Sequence, residues 1–125
     1  MTMRESIAAA CCGEPRPNAD GATTLEFKFS ADDPTFAGHF PHRPILPGVF
    51  QLEMVRVGAE LVLGGALAVR EIRKAKFQRP ILPEEIVRVE LKLSEKDGAI
   101  QANADCFVGL QLAGEIILLL WRSES

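Results

Sequence analysis

The chain has 125 residues, of which 47% are hydrophobic and 25% charged, the size and make-up of one globular domain. Fourteen Lys plus Arg against seventeen Asp plus Glu give a formal charge of −3, which excludes a general nucleic-acid coat, so no nucleic-acid partner is expected. The Gly-free apolar run Ile116 to Trp121, as long as any in the chain, is far shorter than the roughly 20 residues of a membrane-crossing helix, and no membrane span is expected.

Residues 1–21 mix small residues with Pro15, Pro17, Asn18 and Gly21 and show no sustained period; at most a short helix followed by a loop is expected there, as a loosely defined start to a single domain over 1–125. The short apolar patch from Ile7 to Cys12 lacks the core of a secretory signal, which points to the cytoplasm. Cys11, Cys12 and Cys106 are an odd count with an adjacent pair ill placed to bridge, so reduced thiols fit better than a disulfide framework. With His39 and His42 as the only histidines, no standard zinc spacing exists, and no metal is expected.

Thr23 to Ser30 sets Leu25, Phe27 and Phe29 against Glu26, Lys28 and Ser30, the period of a half-buried strand. Ala31 to Pro47 holds Pro34, Gly38, Pro41, Pro44 and Pro47 and reads as a long, stiff loop, because proline lacks the donor that a helix or central strand requires. From Val49 an almost wholly apolar helix runs to Leu63, with Gly64-Gly65 as its stop and Glu53, Arg56 and Glu60 on one narrow polar stripe. Val69 to Phe77 reads as a strand whose apolar phase slips between Ile72 and Ala75, the mark of a bulge or twist. Ile86 to Leu93 and Ile100 to Phe107 alternate around an Asp97-Gly98 hairpin turn, and a turn at Val108-Gly109 leads to a last strand from Leu110 to Trp121. The sum is an α+β domain, an antiparallel sheet curved around one long helix. One helix cannot cover so much apolar sheet, and a homodimer is expected to bury the remainder.

Chemistry concentrates in the run from Gly38 to Glu53. His39 stands in a proline-stiffened loop, and imidazole, with an unperturbed pKa near ~6.5, is the natural proton acceptor at neutral pH. Pro47-Gly48 stands at the helix start, where free backbone N–H groups can hold an oxyanion and the missing Cβ lets a ligand approach the backbone. Glu53 follows on a helix whose other faces are apolar, a setting that biases a carboxyl toward proton donation. Base, oxyanion donor and acid suit abstraction of a proton beside a thioester carbonyl with loss of a β-hydroxyl. The same residues also admit a plainer account: a surface histidine, a common Pro-Gly helix start, and a helix-surface ladder of Glu53 with Arg56 at i+3 and Arg56 with Glu60 at i+4.

The run Gly38-His39-Phe40-Pro41, then Pro44-Ile45-Leu46-Pro47-Gly48-Val49, then Glu53 fourteen residues after the histidine, resembles the signature of the hotdog-fold 3-hydroxyacyl-[acyl-carrier-protein] dehydratases of the FabZ type. Ile72 to Pro80, Leu82-Pro83 and the final strands extend the likeness over about Phe27 to Leu120. The resemblance implies a central helix wrapped by an antiparallel sheet, and a dimer with two sites in which His39 of one subunit meets Glu53 of the other. It implies that the Gly48 N–H binds the thioester carbonyl and that the acyl chain runs in an apolar tunnel beside the helix, with Phe40, Pro47, Val49 and Val57 as substrate contacts. It implies no organic cofactor and an acyl-carrier-protein substrate. Glutamate at 53, where isomerising FabA-type relatives carry aspartate, points to plain dehydration to the trans-2-enoyl thioester.

Three departures from that pattern stand out: Val57 occupies the place of a glutamine, Arg56 stands one turn after Glu53 as a cation that opposes proton donation, and His42 replaces a common glycine. They suggest a specialised member acting in a dedicated fatty-acid or polyene pathway. Arg70, Arg73, Lys74, Lys76 and Arg79 against Glu71 give one stretch a local excess of four positive charges in an acidic chain. Together with Arg43, these side chains are candidates for docking an acidic carrier protein; lysines that guard a strand edge explain the stretch equally well. The rival functions are a hotdog acyl thioesterase and a catalytically silent acyl-binding or scaffold subunit, and assembly beyond the dimer is open.

Overall fold

The computed structural model describes residues 3–30 and 45–123. The elements in chain order are α1 (Met3–Ala10), β1 (Arg16–Pro17), β2 (Thr23–Lys28), α2 (Gly48–Leu63), β3 (Leu67–Phe77), β4 (Ile86–Lys96), β5 (Ala99–Val108) and β6 (Gln111–Arg122). The six strands form one antiparallel sheet in the order β1-β2-β4-β5-β6-β3. The proline-rich loop expected over 31–47 lies outside the described residues apart from Ile45 to Pro47.

Alternation gives the sheet its inner face. Val89, Cys106 and Gly114 stand in one cross-strand row, and Leu91, Ala104 and Ile116 in the next, all buried. The centre of β5 contributes only small side chains to this face, Ala102, Ala104 and Cys106, so that α2 can lie close across the sheet. The helix touches β3, β4, β5 and β6, and buries Met54, Val55, Val57 and Ala59. At its middle, a Cβ added at Gly58 would meet the Leu25 and Leu91 side chains at 3.7 Å. This is the hotdog architecture, a sheet laid around one long helix.

Local chemistry sets the element ends. Pro47 (φ −61, ψ 146) is the extended residue before α2, and its carbonyl accepts the Phe50 N–H at 2.9 Å; Gly64 (φ 78) closes the helix with its N–H on the Glu60 carbonyl at 2.8 Å. β2 stops at Lys28, two residues before its alternation ends, because its partner β4 begins at Ile86, opposite Lys28. The single phase slip expected in β3 is two register shifts against β6, between Val69 and Glu71 and between Ile72 and Lys74. Asp97 (φ 54) and Gly98 (φ 80) make the β4–β5 turn with both residues left-handed, as a two-residue hairpin of this twist requires.

The N-terminal segment is more ordered than its composition suggests. Ile7 is completely buried, α1 packs on α2, β1 pairs with β2, and Cys11 forms a bridge to Phe27. One fully buried apolar side chain in a short helix leaves too little period to read, while Ala10 and Cys11 add to the packing that docks the segment.

Gly98→Ala is expected to lower stability by about 1 kcal/mol, because a Cβ disfavours the left-handed conformation while the nearest side chain, Trp121, is 3.6 Å from that Cβ and does not clash. A lowered Tm in thermal unfolding checks this; an unchanged Tm contradicts it.

Candidate active site

α2 carries the site, and its polar stripe is the centre of it. Glu53, Arg56 and Glu60 share one face by their spacing of three and four, as the sequence indicates, but they do not form a solvated ladder. Arg56 is only 8% exposed. Its Nε donates to Glu53 Oε2 at 2.5 Å and its Nη2 to Glu53 Oε1 at 2.6 Å, a two-pronged pair. Its Nη1 donates to Glu60 Oε2 at 3.3 Å and to the Leu67 carbonyl at 3.2 Å, while Glu60 Oε2 also accepts the Leu67 N–H at 2.7 Å. Both ends of the guanidinium are therefore occupied, and the helix is tied to the first residue of β3.

The hydrogen bonds to Glu53 raise the Arg56 pKa above its ordinary value against the opposing effect of burial, and the negative charges of Glu53 and Glu60 add to the rise. A guanidinium held this firmly is a fixed positive charge under any working condition. The apolar setting expected around the Glu53 carboxyl is thus incomplete, since each of its oxygens accepts an N–H from Arg56.

Glu53 and Arg56 open onto a groove of about 470 Å³ whose other walls are largely apolar: Val49 and Leu52 from α2, Leu67, Val69 and Ile72 from β3, and Leu118 from β6. A carboxyl at the edge of an apolar channel can meet a polar group on an otherwise greasy ligand. The β3 and β6 walls carry no individual sequence signal: the register shift that brings Val69 and Ile72 to one side lies between Val69 and Glu71, ahead of the slip that the sequence shows after Ile72.

The remaining expected site residues divide. Val49 lines the groove with Glu53. Gly48 starts the helix about 7.5 Å from Glu53 along the axis, at five residues and ~1.5 Å each, and lines a second hollow of about 320 Å³ with Leu46, Gln51 and Phe77. A Cβ at Gly48 would lie 2.9 Å from Phe77 Cε2, so the space that glycine leaves is filled by that ring, a packing reason the sequence does not disclose. Pro47 is half-buried, as the residue that precedes the helix. Val57 is buried and lines a separate hollow with Ala8 and Leu61 rather than the Glu53 groove. His39, Phe40 and Arg43 lie outside the described residues.

The basic stretch is largely neutralised by acids that fold against it. Arg73 pairs with Glu71 at 2.9 Å, Lys74 with Glu115 at 3.1 Å, and Arg79 with both oxygens of Glu85 at 3.0 and 3.1 Å. Arg70 lies over the Trp121 ring, 4.3 Å from its centroid, and Lys76 is exposed on β3. Among the described residues, no helix is long and apolar enough to cross a membrane.

A family model described as ApeI-like, ApeI dehydratase, matches residues 15–109. The chain belongs to the ApeI-like dehydratase family. The likeness extends to a 3-hydroxyacyl-[acyl-carrier-protein] dehydratase FabZ of Pelotomaculum thermopropionicum, 37% identical over 109 residues, covering 80% of this chain and 78% of that protein. Among solved structures, the dehydratase heterocomplex ApeI:P from Xenorhabdus doucetiae superposes with a TM-score of 0.71 at 26% identity, over 87% of this chain and 95% of that one. A hypothetical thioesterase from Streptococcus pneumoniae, solved with coenzyme A, gives a TM-score of 0.70 over 98% of this chain and 95% of its own, but at 8% identity it shares the fold alone. This ApeI-like dehydratase thus has its carboxyl and its helix start on one element, α2, which shares the groove with β3 and β6.

Glu60→Ala strands the Leu67 N–H and one face of the buried guanidinium. It is expected to lower unfolding stability by about 1–3 kcal/mol in urea titration. A loss below about 0.5 kcal/mol, the range of ordinary surface changes, contradicts the tie described here.

Proposed function

We propose that this chain eliminates water from 3-hydroxyacyl thioesters carried on acyl carrier protein, giving trans-2-enoyl thioesters, in a specialised fatty-acid or polyene pathway of the cytoplasm. The observation that carries this reading is Glu53 held at the side of a groove of about 470 Å³ with apolar walls, in a chain of a dehydratase family. In this mechanism the thioester carbonyl accepts the Gly48 N–H at the helix start, where the backbone dipoles favour developing negative charge. His39 removes the Cα proton, the electron pair of the broken Cα–H bond forms the Cα–Cβ double bond, the Cβ–O bond breaks, and the oxygen leaves as water with a proton donated by Glu53. The acyl chain lies along Val49 and the β3 wall. No organic cofactor and no metal enter this sequence of steps.

The active unit is a homodimer in which His39 of one protomer faces Glu53 of its partner. Support comes from β3, the edge strand of the sheet, which is exposed along all its length after Leu67, and from the exposed apolar side chains Val69, Ile72 and Phe77 on it. A second copy paired along this edge would cover the groove and exclude water from it. Carrier-protein docking is assigned to Arg43, Arg70, Arg73, Lys74 and Lys76; Arg79 contributes least, because Glu85 already occupies its guanidinium.

With a 3-hydroxyacyl carrier protein, the expected product is the conjugated enoyl thioester, read by its ultraviolet absorbance, without release of free thiol. His39→Ala and Glu53→Gln are each expected to lower kcat by about 10²–10⁴-fold. Thiol release in place of enoyl formation, or a His39→Ala protein as active as the parent, contradicts the proposal.

A further inference from the structure

We infer that Arg56 is a positioning residue for the elimination: its guanidinium sets the plane in which the Glu53 carboxyl meets the leaving hydroxyl. The inference rests on the dehydratase reading of Glu53 given above. A glutamate on a helix has three rotatable side-chain bonds and, beside an open groove, no intrinsic reason to hold one direction. Arg56 removes that freedom in two stages. Its Nη1 end is anchored by Glu60 Oε2 at 3.3 Å and the Leu67 carbonyl at 3.2 Å, which fixes the guanidinium against both α2 and the start of β3. Because the group is planar and rigid, fixing one end fixes the other, and the Nε and Nη2 donors take the two Glu53 oxygens at 2.5 and 2.6 Å.

The geometry separates this role from that of a plain structural tie. A tie between α2 and β3 needs only Nη1, Glu60 and Leu67; the two donors on Glu53 add nothing to it. Arg56 is also far more enclosed than the carboxyl it holds, with side chains 10% and 22% exposed respectively, so the free side of the carboxyl is the side toward the groove. On that side the carboxyl meets the substrate hydroxyl, to whose oxygen it delivers its proton as the Cβ–O bond breaks. Charge alone does not supply this arrangement, since an ammonium group is a point charge with no fork to match a carboxylate.

Steady-state kinetics of the parent, Arg56→Ala and Arg56→Lys with the same carrier-bound 3-hydroxyacyl substrate test the inference, with circular dichroism and sedimentation as checks on folding and assembly. Arg56→Ala is expected to lose about 10²-fold in kcat with little change in KM, the scale of a misplaced reacting group. Arg56→Lys, which keeps the charge, is expected to remain well below the parent. Guanidinium chloride at low, non-denaturing concentration is expected to restore part of the kcat of Arg56→Ala and none of that of Glu53→Gln. Full kcat in folded Arg56→Ala or Arg56→Lys, or a kcat lost without rescue by added guanidinium, overturns the positioning role. A parent protein that forms no enoyl thioester overturns the dehydratase reading instead, so the two failures are distinct.

Discussion

Burial of α2 against the inner face of the sheet is the constraint from which the site follows. The helix is too apolar to face water, and the sheet accommodates it only because β5 presents Ala102, Ala104 and Cys106 beneath it while β4 and β6 supply larger side chains on either side. Once the helix is seated, its polar stripe must fall at the margin between α2 and β3. Burying an unpaired arginine there would be costly, and Glu53, Glu60 and the Leu67 carbonyl together satisfy it. The same contacts that make the helix tolerable in the fold therefore aim a carboxyl at the groove.

The groove owes its shape to the irregularity of β3. A regular strand would turn alternate side chains away from α2, whereas the register shift between Val69 and Glu71 lets Val69 and Ile72 both line the channel with Leu118. Those apolar side chains are exposed in the single chain, 41% for Val69 and 52% for Ile72, on an edge strand without a further strand beside it among the described residues. An exposed apolar edge of this length invites association, and the same surface can be both channel wall and subunit contact.

Most of the architecture was legible because it is periodic. The alternation in β2, β4 and β5 and the left-handed Asp97-Gly98 turn state their structure locally. The docking of α1 was not legible, since a short helix around the buried Ile7 shows too little period to mark its inner face, and neither was the role of Gly48 as a seat for Phe77, a residue 29 positions away. Spacing placed Glu53, Arg56 and Glu60 on one face but could not distinguish a solvated ladder from a buried clamp, because the distinction is made by the Leu67 carbonyl and by β3 closing over the stripe. The basic stretch looked more charged than it is for a related reason: Glu115, which pairs with Lys74, is 41 residues distant in sequence.

The most direct measurement is a crystal structure of the assembled protein with a 3-hydroxyacyl pantetheine analogue in which an amide replaces the thioester. The β-hydroxyl is expected within hydrogen-bond distance of Glu53, on the side of the carboxyl away from Arg56, with the acyl chain lying along Val49 and Ile72. An analogue seated in another hollow, with the Glu53 carboxyl touching only Arg56 and solvent, would contradict it.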